Sequence, residues 1–271
     1  MSQDSPTPMT RYASLFFFCV AAVLMIPLEM YPFGGVFWIA SFYYAMADRE
    51  AAFRRRMAVL LGCVSLLTAA PIHTDTSNAH ILQLGAFFLG VIVLPPLILW
   101  RWDREVLSYR FWPRRFRWLD LAYVAISIPL AKVVFEWYFR YNPDMPTHWL
   151  LPAAFDGESV HRLFWGINGV GIWDELFFVN TVYVLLRSMF SFRVANLAQA
   201  VVYTAVLYDM AFTGIGPVLV YLFALTQGWM FKESENLLYV LIVHLIVDYF
   251  LFSSIVAHYY PLDSVVGLLF H

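Results

Sequence analysis

Long apolar runs, broken by short clusters of Arg, Asp and Pro, dominate the chain from end to end. A membrane-spanning helix needs about 20 mostly apolar residues, with a range of roughly 17–25. On that measure nine segments are candidates: 13–31, 32–47, 57–73, 80–100, 119–139, 160–186, 195–212, 217–231 and 237–257. The runs ending at Tyr31, Trp100, Phe139 and Ala257 read most clearly as spans. Segments 32–47 and 217–231 are short, which suits tilted, re-entrant or interfacial helices. The first run lacks a small-residue cleavage site after a short apolar core, so it reads as a retained helix rather than a signal peptide. The expected fold is all-α: a polytopic transmembrane bundle of eight or nine helices around a polar intramembrane cavity.

Composition sharpens this picture. Of 271 residues, 61% are hydrophobic and only 13% charged, where a soluble domain carries about 25% charged residues. Aromatics at 19% fit lipid-facing surfaces and interfacial belts. No polar stretch is long enough for a separate soluble domain. With the N-terminus in the cytoplasm and each segment crossing once, 14 of the 17 basic residues fall on the cytoplasmic side. That bias fixes the expected orientation. The net charge of −2 and the absence of a basic domain give no sign of nucleic-acid binding. The Arg-rich, aromatic stretch 101–117 reads as a juxtamembrane loop on anionic lipid. Cys19 and Cys63 sit in separate apolar segments, with neither metal-ligand spacing nor a disulfide framework.

Within this apolar background, acids and histidines at mid-span stand out. An ionised side chain at the bilayer centre costs about 2.5–3.5 kcal/mol on insertion scales, so it persists where it lines a cavity or finds a partner. Glu29, Asp120 and Glu136 lie near helix ends, and Glu136 can pair with Lys132 at i, i+4. Five residues remain: Asp174, Glu175, Asp209, His244 and Asp248. His244 and Asp248 are one helical turn apart and share a face. Asp174 and Glu175 point about 100° apart, so one of the two faces any cavity. Each has a bland reading as well: Asp209 as a local hydrogen-bonding group at a helix end, His244 as a satisfied core histidine. No Lys or Arg lies near them within the spans. Four acids without a basic partner require protons, water or a bound cation. The same five side chains offer oxygen-rich ligation with one imidazole, which would suit a divalent metal such as Zn, Mn or Fe.

The run Asp174-Glu175-Leu176-Phe177-Phe178, then Phe223 and Gly228, Lys232 with Asn236-Leu237, and finally His244 with Asp248, resembles the CPBP family. These are the CAAX-protease and bacteriocin-processing intramembrane proteases. The likeness covers roughly the C-terminal 110 residues and is best at the end, where His244 and Asp248 fit the family's HxxxN/D motif. The family's EExxxR motif is met in part: Asp174 replaces the first Glu, and Val179 stands at the arginine position. For its FxxxH motif the matching helix offers Ala205 and Asp209.

The resemblance implies about eight helices around a conical cavity and a carboxylate/His pair that activates water. Residues 1–12 would form a cytoplasmic tail, 13–158 the N-terminal helices, 159–257 the family-like core and 258–271 an interfacial tail. It further implies an intramembrane endopeptidase of a bacterial inner membrane, acting on a membrane-associated or lipidated peptide substrate among membrane lipids. Glu175 or Asp174 would serve as base and His244 would orient the water, with Asp209 and Asp248 in support. Alternatives are a metal-dependent relative, a scaffold or complex subunit that binds a partner membrane protein, and an ion or proton carrier.

Overall fold

Each of the nine candidate segments contains a helix among its described residues. The computed structural model describes residues 8–107, 111–112, 117–208, 210 and 214–260, and these are all-helical with no strand. In chain order the helices are α1 (Met9–Met25), α2 (Tyr31–Met46), α3 (Ala51–Thr68), α4 (Asn78–Leu99) and α5 (Trp118–Tyr141). They continue as α6 (Gly157–Arg187), α7 (Phe192–Tyr208), α8 (Gly216–Ser234) and α9 (Leu237–Tyr259).

Four of these, α4, α5, α6 and α9, are long and apolar enough to cross a membrane. Residues on their outer faces and on α2 carry bare apolar side chains, such as Leu82 at 76% and Ile39 at 64% exposure. A soluble surface rarely shows such a continuous apolar band, and a lipid-facing one requires it. The first segment differs from its expectation. It starts earlier and stops at Met25, giving 17 residues, because Pro27 lacks an N–H to continue the ladder. The chain then turns through Glu29 at φ 49°. Conversely, α6 joins the clear spans, at 31 residues.

Local chemistry sets the helix starts. Ser77, Asp156 and Asn236 each accept a backbone N–H from the first turn of α4, α6 and α9. Pro32 and Pro217 sit in the first turns of α2 and α8, where a missing N–H is harmless. The α1–α2 hairpin is closed by a reciprocal pair: Ser14 Oγ donates to Ser41 O at 2.9 Å and Ser41 Oγ to Ser14 O at 2.8 Å. Arg11 clamps the α2–α3 turn, donating to both Asp48 oxygens at 2.7 and 2.8 Å and to Glu50 at 2.7 Å. This guanidinium holds the Asp48 carboxyl below the usual carboxylate range. Arg55 and Arg56 tie α3 to Asp103 beyond α4, and Arg56 also reaches Ser188 beyond α6. The N-terminal ends of α1 and α3 and the C-terminal ends of α4 and α6 are thereby joined.

Two irregularities shape the middle of the bundle. α4 contains Pro95 and Pro96, which remove two N–H donors from its C-terminal half. α6 changes to a π-helix over Glu175–Tyr183, where Thr181 Oγ1 donates to Leu176 O five residues back at 2.9 Å. Trp173, two residues before that change, donates from Nε1 to Phe88 O at 2.9 Å. It also stacks on the Phe88 ring at 3.6 Å.

Candidate functional site

Four of the five residues singled out in the sequence meet at one point. Asp174 and Glu175 come from α6 at the start of its π-turn, and His244 and Asp248 from one face of α9. Exposure is 2% for Asp174, 0% for Glu175, 3% for His244 and 5% for Asp248. The fifth, Asp209, lies outside the described residues, as do part of the basic stretch 101–117 and the tail beyond 260.

Gly171, one turn before Asp174, makes the meeting possible. A Cβ there would collide with Asp248 Oδ2 and stand 3.2 Å from His244 Cδ2. A bare backbone lets α9 lay its His–Asp face directly on α6.

The imidazole is held from two sides. Its Nδ1 lies 2.6 Å from Glu175 Oε1, a distance that requires a shared proton. Its Nε2 lies 3.6 Å from Asp174 Oδ2 and 3.5 Å from Asp248 Oδ1, too long for direct hydrogen bonds. Gln227 of α8 donates from Nε2 to the same Glu175 oxygen at 3.1 Å. Tyr203 of α7 donates from its hydroxyl to Asp174 Oδ2 at 3.3 Å. Three carboxylates thus surround one imidazole, and every ion-pair contact they make among the described residues is to that ring. Asp174 Oδ1, Glu175 Oε2 and Asp248 Oδ2 are buried without a protein partner.

A cavity of about 720 Å³ opens beside this cluster. Its lining is apolar over most of its extent, so the polar cavity expected from sequence is reduced to a polar wall. Asp174, Tyr203, His244 and Asp248 form that wall, whereas Glu175 is not on it. The sequence expectation that one of the adjacent acids faces the cavity is met by Asp174. From Phe88, level with the cluster, the lining continues along α4 to His80, two turns or about 12 Å away. There the rings of His73 and His80 stack at 3.9 Å.

The other sequence candidates separate from the site. Val179, at the family's arginine position, is fully buried in apolar packing with Met230 and Leu237. Lys132 and Glu136 do pair, at 3.7 Å, but both are more than 60% exposed and tie nothing to the cluster. The divalent-metal alternative finds no support in the donor geometry. Among the described residues no three His, Cys, Asp or Glu side chains are arranged to hold a metal ion. The one imidazole already commits Nδ1 to Glu175.

Sequence reasoning missed Tyr203 and Gln227, both fully buried. The signal for Tyr203 was present: Asn196, Gln199 and Tyr203 stand at i, i+3 and i+7, one polar face on an otherwise apolar helix. Gln199 donates to Asn196 Oδ1 at 3.0 Å and to Ala224 O of α8 at 2.8 Å, which docks α7 on α8 and fixes how Tyr203 is aimed.

No family model, curated protein or solved structure matches the chain.

Proposed function

We propose that this chain is an intramembrane hydrolase of peptide bonds, a divergent relative of the CPBP proteases. The observation that carries the reading is the held imidazole. Glu175 fixes His244 through Nδ1 at 2.6 Å, and Nε2 turns toward the cavity between Asp174 and Asp248. A buried carboxylate that fixes one ring nitrogen and leaves the other to face the reactants is a general acid–base arrangement.

Roles follow from what each oxygen and nitrogen touches. Glu175 stands off the cavity, so of the two adjacent acids Asp174, whose Oδ1 is unpartnered, is the one to act as base. Water attacks the scissile carbonyl carbon and loses a proton to the Asp174 carboxylate. The carbonyl π pair moves onto the carbonyl oxygen. As that pair returns, the C–N bond breaks and the leaving amine takes the proton from His244 Nε2. Passage of the Asp174 proton back to Nε2, 3.6 Å away, restores the starting state. Glu175 stabilises the imidazolium before and after that transfer, and Asp248 lies 3.5 Å from Nε2.

An apolar chamber of about 720 Å³ suits a membrane-associated or lipidated peptide segment better than a soluble one. The orientation with the N-terminus in the cytoplasm rests on the arginine bias of the sequence.

The test uses full-length protein in lipid nanodiscs, incubated with a mixture of soluble, membrane-tethered and lipidated peptides and read by mass spectrometry. Cleavage by the wild type, reduced at least about 100-fold in His244→Ala and Glu175→Gln, supports the proposal. Absence of cleavage, or cleavage unchanged in both variants, overturns it and favours the scaffold alternative.

A further inference from the structure

Hydrolysis by this wall places negative charge on the substrate's carbonyl oxygen, and a wall bearing two carboxylates with a third behind it is a poor place for it. Something must donate to that oxygen. His244 Nε2 is one donor, but the same proton is needed by the leaving amine. Among the hydroxyls on neighbouring lining helices, Ser127 is spent on Val124 O at 2.8 Å and Thr226 on Phe223 O at 2.7 Å. Tyr203 differs. It lines the cavity, is fully buried, and donates from its hydroxyl to the reacting carboxylate itself. Phe178 at 4.3 Å and Phe223 at 6.4 Å pack on its ring and hold it at this depth.

We infer that Tyr203 is a catalytic hydrogen-bond donor that passes from Asp174 to the substrate oxyanion during attack. This rests on the hydrolase reading above. Before attack the Tyr203 O–H donates to Asp174 Oδ2. As water's oxygen bonds to the carbonyl carbon, its proton goes to the Asp174 carboxylate, which becomes neutral. At the same moment the carbonyl π pair becomes a charge on the substrate oxygen. The strongest acceptor near the hydroxyl has then moved from Asp174 to the substrate. The O–H bond stays intact and only its acceptor changes. The charge leaves one oxygen as it appears on another, and one donor serves both states. Before attack the same hydrogen bond keeps Asp174 oriented. The geometry also gives Tyr203 a place in a site where an acid alone would repel the oxyanion.

Tyr203→Phe keeps the ring and its stacking and removes only the hydroxyl. The expected result is a kcat lower by about 10²–10³, as for loss of one oxyanion donor, with KM changed less than about threefold. The melting temperature stays within about 4 °C of wild type. Phe178→Leu is the control: it loosens the ring but leaves the hydroxyl, so it lowers the melting temperature more and kcat less. A Tyr203→Phe enzyme with kcat within about threefold of wild type, alongside a dead His244→Ala, overturns this inference and leaves the hydrolase reading standing. A drop in kcat matched by an equal drop in thermal stability, seen also in Phe178→Leu, assigns Tyr203 to packing and overturns it too. A wild type without cleavage removes both.

Discussion

Replacing Asp174 by Asn separates a site built for chemistry from one built for stability. The Oδ2 of Asp174 and the Oδ1 of Asp248 stand 3.6 and 3.5 Å from the same Nε2. They are thus no more than about 7 Å apart, where two like charges at an effective dielectric of about 20 repel by about 2 kcal/mol. Glu175 adds a second repulsion, and the single imidazolium offsets one of the two. Breaking a buried pair ordinarily costs about 3–5 kcal/mol because the abandoned partner keeps an unpaired charge. Here His244 keeps Glu175 at 2.6 Å and Asp248 at 3.5 Å, so nothing is abandoned. The Asn amide oxygen can still accept from Tyr203. Whether the native site holds its excess charge or takes up a proton, the folded state bears a cost that the unfolded carboxylate escapes. The amide removes that cost. Asp174→Asn is therefore expected to be more stable by about 2 kcal/mol, a rise in melting temperature of about 4–8 °C for a chain of this size. Peptide cleavage is lost in the same variant. The assay is thermal unfolding in detergent at neutral pH, followed by tryptophan fluorescence. A fall in melting temperature of similar size would refute the argument and make Asp174 a structural tie.

Two further outcomes rest on geometry elsewhere. Gly171→Ala drives a Cβ into Asp248 Oδ2, and a displacement of about 1 Å at a reacting group costs up to 100-fold in rate. Cleavage should fall by about that factor while circular dichroism still reports a helical protein, and full activity would show that α9 yields without consequence. Arg11 depresses the Asp48 carboxyl from its ordinary 3.8, so its contribution is complete above that value and lost as pH falls through the lower native value. Asp48→Asn should lower stability by about 2 kcal/mol at neutral pH and flatten the melting-temperature decline in acid, whereas parallel acid profiles for the two proteins would contradict the assignment.

The helical architecture was legible because a bilayer's demand for length and apolarity leaves little freedom in where a span begins. Only the ends moved: Pro27 halted α1 at Met25, a residue-level event that a hydropathy window averages away. Asp174, Glu175, His244 and Asp248 were legible for the opposite reason, since each is costly where it stands. Their division of labour was not. Whether Asp174 or Glu175 faces the cavity depends on the rotation of α6 as it enters the π-turn, which spacing does not reveal. Tyr203 was hidden among 16 tyrosines, because an aromatic in a membrane helix usually needs no explanation. It becomes visible only when the Asn196–Gln199–Tyr203 face is read as a unit.

The stack of Trp173 on Phe88 makes the acid and the chamber wall a single mechanical part. Phe88 belongs to α4, which walls the cavity and is weakened further along its length by Pro95 and Pro96. Trp173 is the residue immediately before Asp174. Any segment that pushes α4 outward as it loads must draw on Trp173 through a hydrogen bond and a ring face. The tilt of α4 is thereby geared to the aim of the Asp174 carboxylate. On the proposed hydrolase reading, occupancy of the chamber and alignment of Asp174 are coupled through this joint.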